Sequence, residues 1–179
     1  EGAPVSFRDK AGERVTERIY FIDWREPGNN SFLIVSQFWI NGDPYSKRAD
    51  LVGFVNGIPL LFIELKAPHE NVYHAFKDNF RDYKSTIPHL FWYNGVVVLA
   101  NGGHAKMGSV TAPWEHFNEW KKINDEGEVG VIDLDTLLLG TCERSRFLDI
   151  IENFCLFQEA KGGLNKLVGK YHQVLGVNN

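Results

Sequence analysis

The stretch 48–66 constrains the fold of this chain of 179 residues more than any other part. Two apolar runs flank Asn56-Gly57, and this dipeptide between apolar runs is the strongest short-range signal for a β-hairpin, because both residues accept positive φ. The first run begins at Asp50, and the second ends in Glu64 and Lys66, two residues apart. Residues two apart on a strand face the same way, so Glu64 and Lys66 are predicted to share a face of the sheet.

Charged groups at the end of so apolar a hairpin are costly unless they pair or bind a metal. Two acids and a lysine at one strand end indicate a site for a hard cation and a phosphate. Mg²⁺ binds one or two carboxylates together with waters and phosphate oxygens, and Asp50 and Glu64 supply that number. The carbonyl of Leu65 is a further candidate ligand, and Lys66 can contact the phosphate or orient an attacking water.

The geometry of the hairpin determines whether Asp50 and Glu64 share a face of the sheet. A plain two-residue turn at Asn56-Gly57 pairs Asp50 with Ile63, so that Asp50 faces away from Glu64. The two acids can meet only if the hairpin contains a bulge or an odd-length loop, or if the strand bends at Asp50. Bulges are frequent beside active sites. We therefore predict an irregularity between Asp50 and Glu64.

The rest of the chain predicts an α/β fold, with a mixed central β-sheet flanked by helices and a helical C-terminal extension. Residues 1–18 are predicted to form a loop or an edge strand, and the strand at 31–40 is expected to be central. The other predicted strands are 19–24, 91–100 and 105–110, and the predicted helices are 69–84, 114–123, 134–139, 143–157 and 164–177. Residues 159–163 are predicted to form a linker, which gives a domain at 1–158 and an extension at 159–179.

Composition excludes several classes of function. No apolar run approaches the ~20 residues that span a bilayer. The formal net charge of −4 means that any contact with DNA depends on a local patch. The two cysteines, Cys142 and Cys155, form no CxxC pair, so we expect reduced thiols, a cytoplasmic protein and no zinc site.

Asp50 followed by Glu64-x-Lys66 resembles the PD-(D/E)xK nuclease signature. The surrounding residues 48–66 are similar, nearly position by position, to the N-terminal nuclease domain of the type I restriction enzyme R subunit, and the resemblance covers about 15–175. It implies a restriction-endonuclease-like fold and cleavage of duplex DNA with Mg²⁺, for which Mn²⁺ can substitute. The implied catalytic residues are Asp50, Glu64 and Lys66, and the implied metal ligands are Asp50, Glu64 and Leu65. Further stretches that fit the family are 22–24, 30–32, 87–94 and 98–102.

The family carries a Gln-x-x-x-Tyr motif on the helix after the second acid. Tyr83 matches its tyrosine, and Asn79 stands in place of its glutamine, so the resemblance implies DNA contacts for both. Arg48 and Lys84 flank the site and are predicted to contact phosphates, although they fit an ordinary solvated face equally well. The family's first helix has no full counterpart here, so an acid carried on it would be lost.

Lys170-Tyr171-His172-Gln173 resembles the approach to the motor domains of the R subunit, where Gln173 would touch the adenine of ATP. No phosphate-binding G-x-x-x-x-G-K-[ST] motif occurs in this chain, so ATP binding is expected only in a full-length subunit with its helicase motor. The implied partners are double-stranded DNA and the modification and specificity subunits of a restriction complex, with no membrane.

Other interpretations of the same residues remain open at this point. Asp50 is equally suited to cap a strand while Glu64 and Lys66 form a surface ion pair, and Tyr83 is as typical of a core as of a site. At the level of function, the alternatives are a catalytically decayed docking or DNA-holding module and a repair nuclease of the same superfamily.

Overall fold

The computed structural model describes residues 2–160 and 162–178; Glu1, Lys161 and Asn179, which fall within the predicted terminal loop, linker and extension, lie outside the described residues. The chain opens with an antiparallel hairpin that precedes the central sheet. The strands are β1 (Ala3–Arg8), β2 (Arg14–Ile19), β3 (Phe32–Asn41), β4 (Ser46–Val55), β5 (Ile58–Leu65), β6 (Val96–Ala100), β7 (Ala105–Gly108), β8 (Cys155–Ala160) and β9 (Gly163–Val168). The helices are α1 (Val72–His74), α2 (Arg81–Thr86), α3 (Leu134–Thr141), α4 (Arg144–Asn153) and α5 (Tyr171–Asn178).

The central sheet has five strands in the order β3-β4-β5-β6-β7. Its neighbours are antiparallel except β5 and β6, which run parallel and are joined by the helical segment 72–86. The predicted α/β class with a mixed, helix-flanked sheet is therefore confirmed. No helix in the described part of the chain is long and apolar enough to cross a membrane.

Both faces of the sheet are covered, which explains the continuous apolar runs in its central strands. All five residues of β6 are buried. Alternate residues of the strands enter two separate cores. Phe62, Val97 and Leu99 pack on the face that carries helical segment 72–86, together with Phe76, Phe80 and Tyr83 from that segment. Leu61, Ile63 and Val98 pack on the opposite face with residues of α3 and α4 such as Leu137, Leu148 and Ile150.

The helical segment 72–86 was predicted as one regular helix, but it contains a π-helical stretch. Asn71 caps its start, because the Asn71 side chain accepts a hydrogen bond from the Tyr73 backbone N–H at 2.9 Å. Residues Ala75–Phe80 are π-helical between α1 and α2, and the Arg81 N–H donates to the carbonyl of Phe76. π-Helical stretches are rare in proteins, but those that do occur often lie at functional sites. Asn79 lies in this stretch and Tyr83 one turn further on.

Several predicted elements differ from the structure. Strand β2 ends at Ile19, so the strand predicted at 19–24 is wrong. Strand β3 lies at the edge of the sheet and not at its centre. The helix predicted at 114–123 is only a 3₁₀ turn at Trp114–His116, although Phe117 and Trp120 point inward as expected, each 2% exposed.

The C-terminal region also differs from its prediction. Helix α4 ends at Asn153 instead of 157. The hairpin β8–β9 occupies 155–160 and 163–168, where the sequence predicted a linker and the start of a helix. The helix of the predicted extension is shorter, α5 at Tyr171–Asn178. The boundary proposed at 158 therefore falls inside a strand.

Candidate metal and active site

The hairpin β4–β5 contains both the tight turn and the irregularity that the sequence predicted. Asn56 and Gly57 have φ of 49° and 82°, as a two-residue hairpin turn requires. The register then shifts between Gly53 and Phe54, because Gly53 pairs with Leu61 while Phe54 pairs with Pro59. Leu60 is left as the extra residue of a β-bulge. The predicted irregularity is confirmed.

The bulge brings the two acids together. Beyond it, Leu51 pairs with Ile63, so the next residues along the ladder, Asp50 and Glu64, lie opposite each other. Both point to the face that carries Phe62 and the helical segment 72–86, because side chains alternate along a strand. Without the extra residue in the hairpin, Asp50 would face the other core.

Asp50 is half-buried, and both of its oxygens are hydrogen-bonded. Its Oδ2 accepts from the Leu65 backbone N–H at 2.9 Å. Its Oδ1 accepts from the Gln37 side-chain amide at 3.2 Å. The bond from Leu65 attaches the Asp50 carboxylate to the end of β5. It adds one contact between the two strands beyond their last backbone pair. Sequence reasoning missed Gln37, which comes from β3, 13 residues away in the chain.

Glu64 is almost fully buried, with 3% of its surface exposed. Its Oε2 has no hydrogen-bond partner within the described part of the protein. Burial is the main reason that its pKa rises from 4.5 to about 8, and the nearby Asp50 charge raises it further, while Lys66 and the amide of Asn79 act in the opposite direction. The raised pKa favours the protonated form of Glu64 when no cation is close to it. The surface ion pair considered as an alternative for Glu64 is wrong.

Lys66 follows Glu64 by two residues and is half-buried at the end of β5. Its backbone N–H donates to the Ala100 carbonyl at 2.8 Å, which fixes the chain as it leaves the sheet. The side chain forms no ion pair within the ranges 2–160 and 162–178, where the pairs are Lys47–Asp82, His74–Asp78 and Lys121–Glu119. Its ammonium nevertheless acts on the Glu64 carboxyl, since its charge lowers the pKa of that group.

Tyr83 serves both the core and the site. The residue is 8% exposed, and its ring packs edge-on against Phe62 with the ring centroids 5.9 Å apart. The Tyr83 hydroxyl donates to the Arg48 carbonyl at 3.0 Å and so ties α2 to β4. Burial and the Glu64 charge raise the pKa of Tyr83, and Asn79 opposes that rise. Asn79 thus lies close enough to act on both Glu64 and Tyr83.

The remaining predicted contacts are spread over a wider surface. Arg48 is exposed, and its guanidinium lies 5.7 Å from the centre of the Trp39 ring. The Lys84 ammonium instead donates to the Val110 carbonyl at 3.0 Å, and burial lowers its pKa. Gln173 lies in the first turn of α5, where its side-chain oxygen accepts from the Lys170 N–H at 2.8 Å. The predicted roles of these residues with DNA or ATP stay predictions.

The donor atoms of the site come from two carboxylates, Asp50 and Glu64. No group of three or more His, Cys, Asp or Glu side chains that could hold a metal occurs among the residues that the structure describes. Two carboxylates, one of them with an unpartnered buried oxygen, are a donor set that suits Mg²⁺, which keeps several waters. Cys142 and Cys155 are free thiols, and burial raises the pKa of each.

The protein is an α/β domain with Asp50, Glu64 and Lys66 at the end of the hairpin β4–β5 in its central sheet. Residues 1–116 match the family described as Type I restriction enzyme R protein N terminus. The chain therefore belongs to that family of type I restriction enzyme R proteins.

Relatives support the same assignment. The chain is 35% identical over 187 residues to the Type I restriction enzyme HindI endonuclease subunit of Haemophilus influenzae, covering 99% of this chain and 18% of that protein. It is 29% identical over 198 residues to the Putative type I restriction enzyme MjaIXP endonuclease subunit of Methanocaldococcus jannaschii, covering 96% of this chain and 18% of the relative. The chain thus spans less than a fifth of the length of these relatives.

Proposed function

We propose that this chain is the Mg²⁺-dependent endonuclease domain of a type I restriction enzyme and hydrolyses phosphodiester bonds of duplex DNA. The observation that carries the proposal is the meeting of Asp50 and Glu64 across the bulged hairpin, with a buried Glu64 oxygen that has no partner in the described part of the protein. A buried acid of this kind needs either a proton or a cation. The names of the relatives, which are endonuclease subunits, agree with the proposal.

In the proposed site, Asp50, Glu64 and the Leu65 carbonyl would hold Mg²⁺. A bound Mg²⁺ supplies charge to offset that of the phosphate and lowers the pKa of a water molecule. Glu64 would bind the cation in its deprotonated form, so its raised pKa predicts that binding releases a proton. Lys66, on the face of Glu64, contacts the phosphate or orients the attacking water. Asn79 and Tyr83 fix the shape of the site from the helical side.

The whole enzyme would contribute what this chain lacks. Because the chain spans 18% of the Haemophilus influenzae relative, ATP-driven translocation is assigned to the remainder of the full-length subunit. Gln173 at the start of α5 would serve nucleotide binding only there. Modification and specificity subunits would select the DNA sequence in the assembled complex, which we propose acts in the cytoplasm.

A plasmid cleavage assay on the assembled restriction complex tests the proposal. We expect Asp50→Ala and Lys66→Ala in the full-length subunit to reduce cleavage at least ~100-fold, while ATP hydrolysis stays at the wild-type rate. Lys77→Ala is the matched control, since Lys77 is an exposed lysine of the π-helical stretch, and cleavage by this variant stays normal. Full cleavage by Asp50→Ala would remove the catalytic assignment.

A non-catalytic DNA-holding module is the second candidate. Two observations favour it. The site offers only two acidic side chains as metal ligands among the described residues, and the side chain of Asn79 is shorter than that of the glutamine in the family motif. Under this alternative, Asp50→Ala leaves DNA cleavage by the complex unchanged and Mn²⁺ does not bind at the hairpin. The cleavage assay and a Mn²⁺ titration of the chain together separate the two functions.

A further inference from the structure

Strand β3 contains a backbone conformation that its sequence does not predict. Gln37 has φ of 53°, in the left-handed region that residues other than glycine rarely adopt. Its neighbours keep their places opposite β4, because Ser36 pairs with Leu51 and Phe38 with Ala49. The irregularity is thus confined to one residue in the middle of a strand of ten residues. Strain of this kind persists where the surroundings hold it, often beside functional sites.

The irregular residue lies directly opposite the first acid of the candidate site. The Gln37 amide donates to Asp50 Oδ1 at 3.2 Å, while Leu65 N–H donates to Asp50 Oδ2 at 2.9 Å. One oxygen is therefore held by the backbone of β5 and the other by a side chain of β3. Together these two bonds fix the rotation of the carboxylate relative to Glu64.

We propose that Gln37 is a positioning residue for the cation site, acting through Asp50. The inference rests on the proposed function, because it assigns Gln37 to the cation site of that function. Hydrogen bonds to the ligands of a metal orient those ligands, and their loss commonly weakens metal binding 10–100-fold. The strained backbone of Gln37 re-aims its amide toward Asp50, as irregular strand residues often do.

Titration of the chain with MnCl₂ by isothermal calorimetry, together with thermal melts in chelator, tests this role. Gln37→Gly removes the amide and also the strain, because glycine accepts positive φ. We expect this variant to bind Mn²⁺ about tenfold more weakly than wild type. Its melting temperature stays level or rises by about 2 °C.

Ser36→Gly is the matched control, since Ser36 is the exposed neighbour on the same strand and its register partner is Leu51. We expect it to melt at a lower temperature and to keep wild-type Mn²⁺ affinity. We therefore expect Gln37→Gly to lose Mn²⁺ affinity without losing stability, and Ser36→Gly to lose stability without losing Mn²⁺ affinity. If the role of Gln37 were purely structural, Mn²⁺ affinity would respond in the same way to both substitutions.

The positioning role of Gln37 is overturned if Gln37→Gly binds Mn²⁺ as tightly as wild type. It is also overturned if both glycine variants lose Mn²⁺ affinity equally. If wild type binds Mn²⁺ and Asp50→Ala does not, the cation site stands even when Gln37→Gly behaves as wild type. If wild type itself binds no Mn²⁺, the cation site and the role of Gln37 are both overturned.

Discussion

At the scale of single residues, Glu64 has the least ordinary environment among the charged groups of the site. It is 3% exposed, has one oxygen without a partner among the residues described, and its pKa is raised to about 8, chiefly by burial. A carboxyl in such a position makes folding depend on pH, because the unfolded chain releases the proton at a lower pH than the native protein.

We expect the free energy of unfolding to fall between pH 5 and pH 9 in metal-free protein. The unfolded Glu64 ionises near pH 4.5, whereas the folded one holds its proton to about pH 8. The stability that this proton provides is thus fully present below the unfolded pKa and is lost as pH rises through the folded pKa. The loss is on the order of a few kcal/mol. Urea unfolding at several pH values in chelator measures it.

Glu64→Gln is the control for this titration. The glutamine has nearly the same shape and no proton to lose, so its stability should vary less over the same interval. Adding Mg²⁺ at high pH should raise the free energy of unfolding of the wild-type protein but not that of the Glu64→Gln variant. Equal pH profiles for the two proteins would contradict the buried, protonated state of Glu64.

The approach of the two acids at the end of the hairpin could be predicted from the sequence, but their surroundings could not. Asp50, Glu64 and Lys66 stand out because charges are rare at the ends of apolar strands. Gln37 gave no comparable signal, since a polar residue on an exposed strand is ordinary and its partner is 13 residues away. Contacts of this kind depend on strand register, which local spacing does not determine.

At the scale of elements, the bulge in β4–β5 decides which face the acids share. Gly53 lies at the register shift, where an added Cβ would come within 3.0 Å of the Leu61 Cβ. Proline is largely confined to sheet edges and bulges, so Pro59 was a usable sequence signal for the bulge. The π-helical stretch gave no such signal, because Ala75 to Phe80 has an ordinary apolar pattern.

We expect Gly53→Ala to disturb the bulge and weaken Mn²⁺ binding. The new methyl group must displace the Leu61 side chain, which costs about 1–3 kcal/mol of stability and shifts β5 relative to β4. Gly57→Ala is the control, since its Cβ would meet nothing within 4 Å and only its φ of +82° is unfavourable. Calorimetric titration with Mn²⁺ and urea unfolding compare the variants. Loss of affinity in Gly57→Ala but not in Gly53→Ala would contradict this account of the bulge.

At the scale of the whole molecule, the sheet order could be predicted only in part. The parallel pair β5–β6 follows from a strand, a helix and a strand in sequence. The edge position of β3 does not follow, because its residues are as apolar as those of a central strand: Leu33, Ile34 and Trp39 are 56%, 57% and 64% exposed. Strand β8 was missed because Phe154 continues the helical spacing of Phe147, Ile150 and Ile151.

The charge of the whole molecule bears on how it meets its substrate. A formal net charge of −4 provides no general attraction to DNA. Arg48 is exposed, whereas the ammonium groups of Lys84 and Lys47 are engaged by Val110 and Asp82. In the proposed complex, most phosphate contacts would therefore come from other parts of the assembly, and this domain would contribute the cation site.

The proposed nuclease site requires that Asp50 and Glu64 hold one divalent ion. The decisive experiment is anomalous diffraction from a crystal of the protein soaked in Mn²⁺. We predict a single strong peak between the two carboxylates, within bonding distance of an oxygen of each, that is absent in Glu64→Gln. A peak elsewhere, or a well-ordered site with no peak at saturating Mn²⁺, would contradict the account.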